Sequence, residues 1–125
     1  MEDFKKKAKN FYILGKIAEK LNMLSEAASN YFKSLSALND CQLETKNLKA
    51  NDHTDRFNLL KNNFPKLYEI TDKLFTVYRR TYTEELDNQE ILRLRESIEG
   101  AFKNVGIDIP TDKEIEERTK KFFKK

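Results

Sequence analysis

Apolar side chains along the chain recur at intervals of three and four residues, the signature of helices that bury one stripe. From about Asp3 to Leu21 the stripe reads Phe4, Ala8, Phe11, Gly15 and Ala18, widened by Leu14, Ile17 and Leu21. Asn22 marks a break, because asparagine tolerates the left-handed conformation that ends helices. A second helix is expected over about Leu24 to Leu43. Its stripe is Leu24, Ala27, Ala28, Tyr31, Leu35 and Leu38, with Phe32 beside it. Small residues there (Ala28, Ser29, Ser34, Ser36, Ala37) permit tight packing, and the short break predicts an antiparallel helix pair.

Glu44 to Asn51 has no clear period and reads as a loop. Asn51 or Asp52 can cap the next helix by accepting an orphan backbone N–H. That short helix carries Phe57, Leu60 and Phe64 inward. Pro65 suits the first turn of a further helix, since proline has no N–H to leave unpaired. Leu67, Ile70, Leu74, Val77 and Tyr78 form its stripe, and Arg79 and Arg80 close it. This Phe64–Glu85 stretch is expected to be the helix that the others pack against.

Asp87 and Glu90 fit a capping box, flanked by Leu86 and Ile91 at the staple positions. Ile91, Leu94, Ile98, Ala101, Phe102 and Val105 follow at helical spacing, and Gly106 supplies the stop. After an extended Ile107–Pro110, Thr111 and Glu114 fit a second capping box. It opens a short helix whose apolar residues are Ile115, Phe122 and Phe123. The fold class expected is all-α: an up-and-down bundle of four to five antiparallel helices plus a short C-terminal helix. The bundle takes residues 1–106, and residues 107–125 form a linker and a short helix or tail.

Composition narrows the function classes. Of 125 residues 36% are charged and 38% hydrophobic, which suits helices with charged outer faces. Three glycines and two prolines argue against a barrel or sandwich of short strands. The net charge of +3, from 24 basic and 21 acidic residues, is too balanced to signal nucleic-acid binding by itself. A single cysteine, Cys41, excludes a disulfide within the chain and favours a reducing compartment. It reads as a packing residue. No stretch approaches the ~20 apolar residues of a membrane span, and the run Phe11–Leu14 after Lys5–Lys7 is too short for a signal peptide. A cytoplasmic protein without a membrane partner is expected.

Few residues offer chemistry. His53 is the only histidine, and no HExxH, CxxC, GxGxxG, P-loop or GxSxG spacing occurs. No metal or other cofactor is expected. His53 stands among Asp52, Asp55 and Arg56, as a cap-region residue or, less favoured, a general base. Glu84–Glu85 and Glu116–Glu117 are adjacent in sequence and face apart on a helix, so they are solvated charges. Gly15 either allows another helix to approach closely or is a tolerated surface glycine, at a cost of roughly 1 kcal/mol against alanine. On a helical wheel Arg80 lies near Glu84 at i+4. Arg79 shares its face with Tyr68, Asp72, Phe75 and Tyr82. Arg79 is therefore the arginine to examine, for a structural ion pair or for an anion contact. Arg79, Arg80 and Tyr82 are the candidate RNA- or phosphate-binding residues. The basic tail Lys120–Lys125, with its two phenylalanines, docks on the bundle, meets a partner or frays.

The layout over Phe4 to Val105 resembles that of HEPN-domain proteins. The resemblance rests on an N-terminal helix, the small-residue-rich SEAASNYFKSLSAL, the helix start DHTDRFNLLK, and the long helix ending YRRTYTEE before a closing helix. It implies a homodimeric bundle of four or five helices. Many members of that family are metal-independent RNases of toxin–antitoxin systems, often encoded beside a minimal nucleotidyltransferase partner. Their signature is an arginine followed four to six residues later by a histidine. Arg79 or Arg80 matches the arginine, but Glu84, Glu85, Leu86 and Asp87 occupy the histidine's window. Acid/base work at a ribose 2′-hydroxyl then lacks a carrier, since Tyr82 with an ordinary pKa near ~10 is a poor base. The expectation is a dimeric, catalytically degenerate interaction module. The alternative is a toxin-like protein that binds or cleaves RNA through Arg79, with Arg80 and Tyr82 assisting.

Overall fold

The computed structural model describes residues 2–123, and for Phe122 and Phe123 only their place in the helix. Six helices follow one another: α1 (Glu2–Lys20), α2 (Leu24–Glu44), α3 (His53–Asn63), α4 (Pro65–Arg80), α5 (Asn88–Val105) and α6 (Asp112–Phe123). No strand occurs among the described residues. The molecule is an all-α bundle. The packing expected of Phe122 and Phe123, and the fate of the last lysines, lie outside the described residues.

Local chemistry sets the boundaries. Asn22 takes φ 60°, ends α1 and turns the chain into α2. Asp52 caps α3 by accepting from the Asp55 N–H at 2.8 Å. Pro65 occupies the first turn of α4. Both arms of the capping box form at α5, from Glu90 N–H to Asp87 and from Asp87 N–H to Glu90. Leu86 and Ile91 are buried beside it. Gly106 closes α5 at φ 81°, the left-handed region that only glycine enters without strain. At α6 one arm is present, from the Glu114 N–H to Thr111 Oγ1 at 3.1 Å.

The centre of the bundle is α2 rather than α4. Eleven of its residues are buried, against Leu67, Thr71 and Leu74 on α4. It packs on α1, α3, α4 and α5. Its small residues make this feasible. Ser34 lies fully buried and donates to the Ala8 carbonyl at 2.7 Å, which locks α1 against α2. Deeper in the bundle, Asn39 donates to Thr71 Oγ1 at 2.8 Å. Asn39 Oδ1 has no partner, a cost that a fully apolar contact would not carry.

The buried face of α1 is rotated from the expected stripe. Ala8, Tyr12, Ile13, Gly15 and Ala18 are buried, whereas Leu14 and Leu21 are 49% and 65% exposed. Tyr12 is the reason. Its ring meets Tyr31 and packs edge-on against Phe102, and its hydroxyl donates to Glu99 at 2.5 Å. Tyr31 donates likewise to Glu19 at 2.7 Å, and Arg95 pairs with Glu19 at 3.1 Å. Burial, and then the hydrogen bond to a carboxylate, push both phenols above the ordinary tyrosine range.

That shift predicts a pH response. The unfolded chain loses its phenol protons near pH ~10 while the folded chain keeps them. The contribution is therefore complete below about pH 10 and is lost as pH rises through it. Melting temperatures at pH 9 and pH 11 should fall further for the wild type than for a Tyr12→Phe/Tyr31→Phe variant. Equal falls would remove the assignment.

Candidate functional site

The loop after α2 carries the chain back, so that His53 at the start of α3 stands beside Phe32 in the middle of α2. The C-terminal half of α4 reaches the same place from the other side. Phe32 and Tyr78 stack at 4.7 Å with their planes 7° apart. Phe75 contacts Phe32, His53, Phe57 and Tyr78. The outcome is an aromatic seam along α2, walled by α1 on one side and by α3 and α4 on the other. Two neighbouring cavities lie over it and share Lys33 and Tyr78: one is also lined by Lys7, Phe11, Phe32, Asp40 and His53, the other by Glu26, Ser29, Asn30 and Tyr82.

The two arginines exchange the roles expected of them in part. Arg80 donates to Glu84 at 2.8 Å, as the i+4 spacing implies, and also to Glu90 at 2.6 Å. These two carboxylates hold its guanidinium above the ordinary range. It lines a mixed-charge groove of about 590 Å³ between α4 and α5, with Lys73, Glu90, Arg93 and Glu96. Arg79 is exposed and lies 5.8 Å from the Phe75 ring centroid. It makes no ion pair among the described residues, so the structural ion pair expected of it is not formed. Among the described residues no carboxylate comes within 4.0 Å of it, which a wheel of one helix cannot show.

Tyr82 is 74% exposed and shares a hydrogen bond with Tyr78 at 2.9 Å between the hydroxyls. That bond, followed by burial, raises the Tyr78 phenol further from any role as a base. Cys41 is buried, and burial pushes its thiol up, so it is a packing residue and an unreactive one.

His53 is better placed than its neighbours in sequence implied. Arg56 donates from Nε and Nη2 to the two Asp40 oxygens at 2.8 and 3.1 Å, and from Nη1 to His53 Nδ1 at 2.9 Å. A guanidinium only donates. Nδ1 therefore accepts, and the ring proton sits on Nε2. Asp40 is the partner that sequence reading did not find for Arg56. Its only sequence signal is an acid on the half-polar edge of α2. Among the described residues no three acidic, histidine or cysteine side chains could hold a metal ion, and no helix is long and apolar enough to cross a membrane.

The class that the structure defines is an all-α helical bundle with aromatic-lined cavities over its central helix. No family model, no curated protein and no solved structure matches the chain.

Proposed function

We propose that the chain is a HEPN-like helical interaction module that works as a homodimer and carries a degenerate catalytic motif. The observation that supports this reading is that several large apolar side chains stand in solvent on this bundle. Leu14 on α1 and Leu21 in the turn after it are 49% and 65% exposed, and Met23 and Leu92 are 46% and 41% exposed. Large apolar side chains left in solvent favour association with another surface. The arginine-to-histidine window of the family motif holds acids here, which is why we assign binding rather than cleavage.

Light scattering at tens of micromolar should give twice the chain mass. Leu14→Glu with Leu21→Glu should return the monomer at unchanged melting temperature, because both side chains are exposed. A wild-type monomer at that concentration overturns the reading. A nucleotidyltransferase-type partner and a cytoplasmic setting belong to the same proposal.

A second reading is RNA binding or cleavage through Arg79. It is favoured by one observation: among the described residues Arg79 is exposed and without an acidic partner, whereas Arg80 is held by two carboxylates. Arg79→Ala should then abolish RNA binding and leave the melting temperature unchanged, and Arg80→Ala should do less to RNA. Wild-type protein that neither binds nor cuts RNA ends this reading.

A further inference from the structure

The cavity beside His53 gathers donors around one small space. We propose that this cavity, between α1, α2 and the start of α3, is a binding site for a phosphoryl group. It stands apart from the dimer reading and does not need it.

The cavity measures about 220 Å³. Drug-sized ligands occupy pockets of about 300–1,000 Å³, so this one suits a single compact group with part of what carries it. Lys7 and Lys33 line it from α1 and α2, and both are exposed with no ion pair among the described residues. The Lys33 ammonium lies 5.8 Å from the Phe11 ring centroid, a cation–π contact that holds it at the rim. The third donor is His53. Because Arg56 occupies Nδ1, the ring keeps its proton on Nε2, as a donor on a residue that lines the cavity. Asp40 also lines the cavity and would repel an anion if free. Both of its oxygens are taken by Arg56, which cancels its charge locally.

Two lysines and a histidine with a donor nitrogen therefore line a space whose one lining acid is paired with Arg56. A phosphoryl group presents three strong acceptor oxygens, one for each donor. A carboxylate carries a single charge, and answers two ammonium groups less well than a phosphoryl group of about −1.5 to −2. Phe11, Phe32 and Tyr78 also line the cavity and give a nucleoside apolar contact. Two sources of the group fit this chemistry: free phosphate and a 5′-mononucleotide.

The test follows backbone amide resonances of the full chain during titration with inorganic phosphate, adenosine 5′-monophosphate or adenosine. Shifts clustered at residues near 7, 33 and 53 on addition of phosphate or the monophosphate support the site. Tighter binding of the monophosphate than of phosphate identifies a nucleotide as the source, and equal binding identifies the phosphoryl group alone. Lys7→Ala and Lys33→Ala should each weaken binding about tenfold, as expected for a charge-assisted contact. His53→Phe keeps the ring contacts, removes the donor, and should weaken it several-fold. Lys103→Ala, an exposed charge on α5, should have no effect. The proposal is overturned if neither phosphate nor the monophosphate shifts these amides at millimolar concentration. It is also overturned if adenosine shifts them equally, or if Lys103→Ala weakens binding as much as Lys33→Ala.

Discussion

Gly15→Ala will destabilise the protein by about 2–3 kcal/mol, although alanine is the better helix former. A Cβ at Gly15 falls 2.5 and 2.6 Å from two carbons of the Tyr31 ring, closer than real contacts allow. The ring cannot retreat easily. Tyr31 is fully buried, leans on Tyr12 and is tied through its hydroxyl to Glu19. Helix propensity returns roughly 1 kcal/mol, so the net loss is the overpacking cost less that gain. Gly100 is the internal control. Nothing lies within 4 Å of a Cβ built there, and it sits on the exposed face of α5. Gly100→Ala should stabilise by about 0.5–1 kcal/mol. Chemical denaturation of the two variants should move in opposite directions. In a Tyr31→Leu background the cost of Gly15→Ala should vanish, since the colliding ring is gone. A Gly15→Ala protein as stable as the wild type would show that α1 and α2 are further apart than described.

Arg56→Ala should cost about 3 kcal/mol, because it leaves a half-enclosed carboxylate without its counter-charge. The side chains of Arg56 and Asp40 are 14% and 17% exposed, so water compensates only in part. Arg56 also donates to His53, and one substitution removes both bonds. Arg56→Lys should recover little, since an ammonium cannot reproduce the two parallel contacts to one carboxylate. Replacing both partners, Asp40→Leu with Arg56→Leu, should cost less than Arg56→Ala alone, as no orphan charge remains. Urea titrations of these variants measure each step. An Arg56→Ala loss below about 1 kcal/mol would place the pair with exposed ion pairs, which contribute little.

Local signals in the chain were readable and global pairings were not. Pro65, the Asp87–Glu90 box and Gly106 act within a few residues of themselves, so their chemistry is visible without the fold. The apolar stripe of α2 was legible for the same reason. Tyr12 was missed because Phe4, Ala8 and Phe11 define a tidy period that excludes it. What buries Tyr12 is Phe102 and Glu99, some ninety residues away. The roles of Arg79 and Arg80 depended on what stands opposite each, and Glu90 comes from the next helix. His53 looked isolated from the arginines because the return of the loop 45–52 is not written in any motif. The fold brings it to the Phe75 ring that Arg79 also covers.

The placement of α2 has a consequence for how the chain reaches this structure. Its two largest local units, α1 with α2 and α3 with α4, are hairpins closed by the short turns at Asn22 and at Phe64–Pro65. Closing such short loops costs little entropy, and structures rich in near-neighbour pairings cross their folding barrier quickly. The seam between α1 and α5 is different. It joins distant parts of the chain and is held by the Tyr12–Glu99 and Glu19–Arg95 side-chain pairs. Pairings of that sequence separation carry the larger loop-closure cost, so folding rate should respond more to the sequence distance between α1 and α5 than to the two short turns; a stopped-flow comparison of wild type with a variant lengthened in the 81–87 connection checks this.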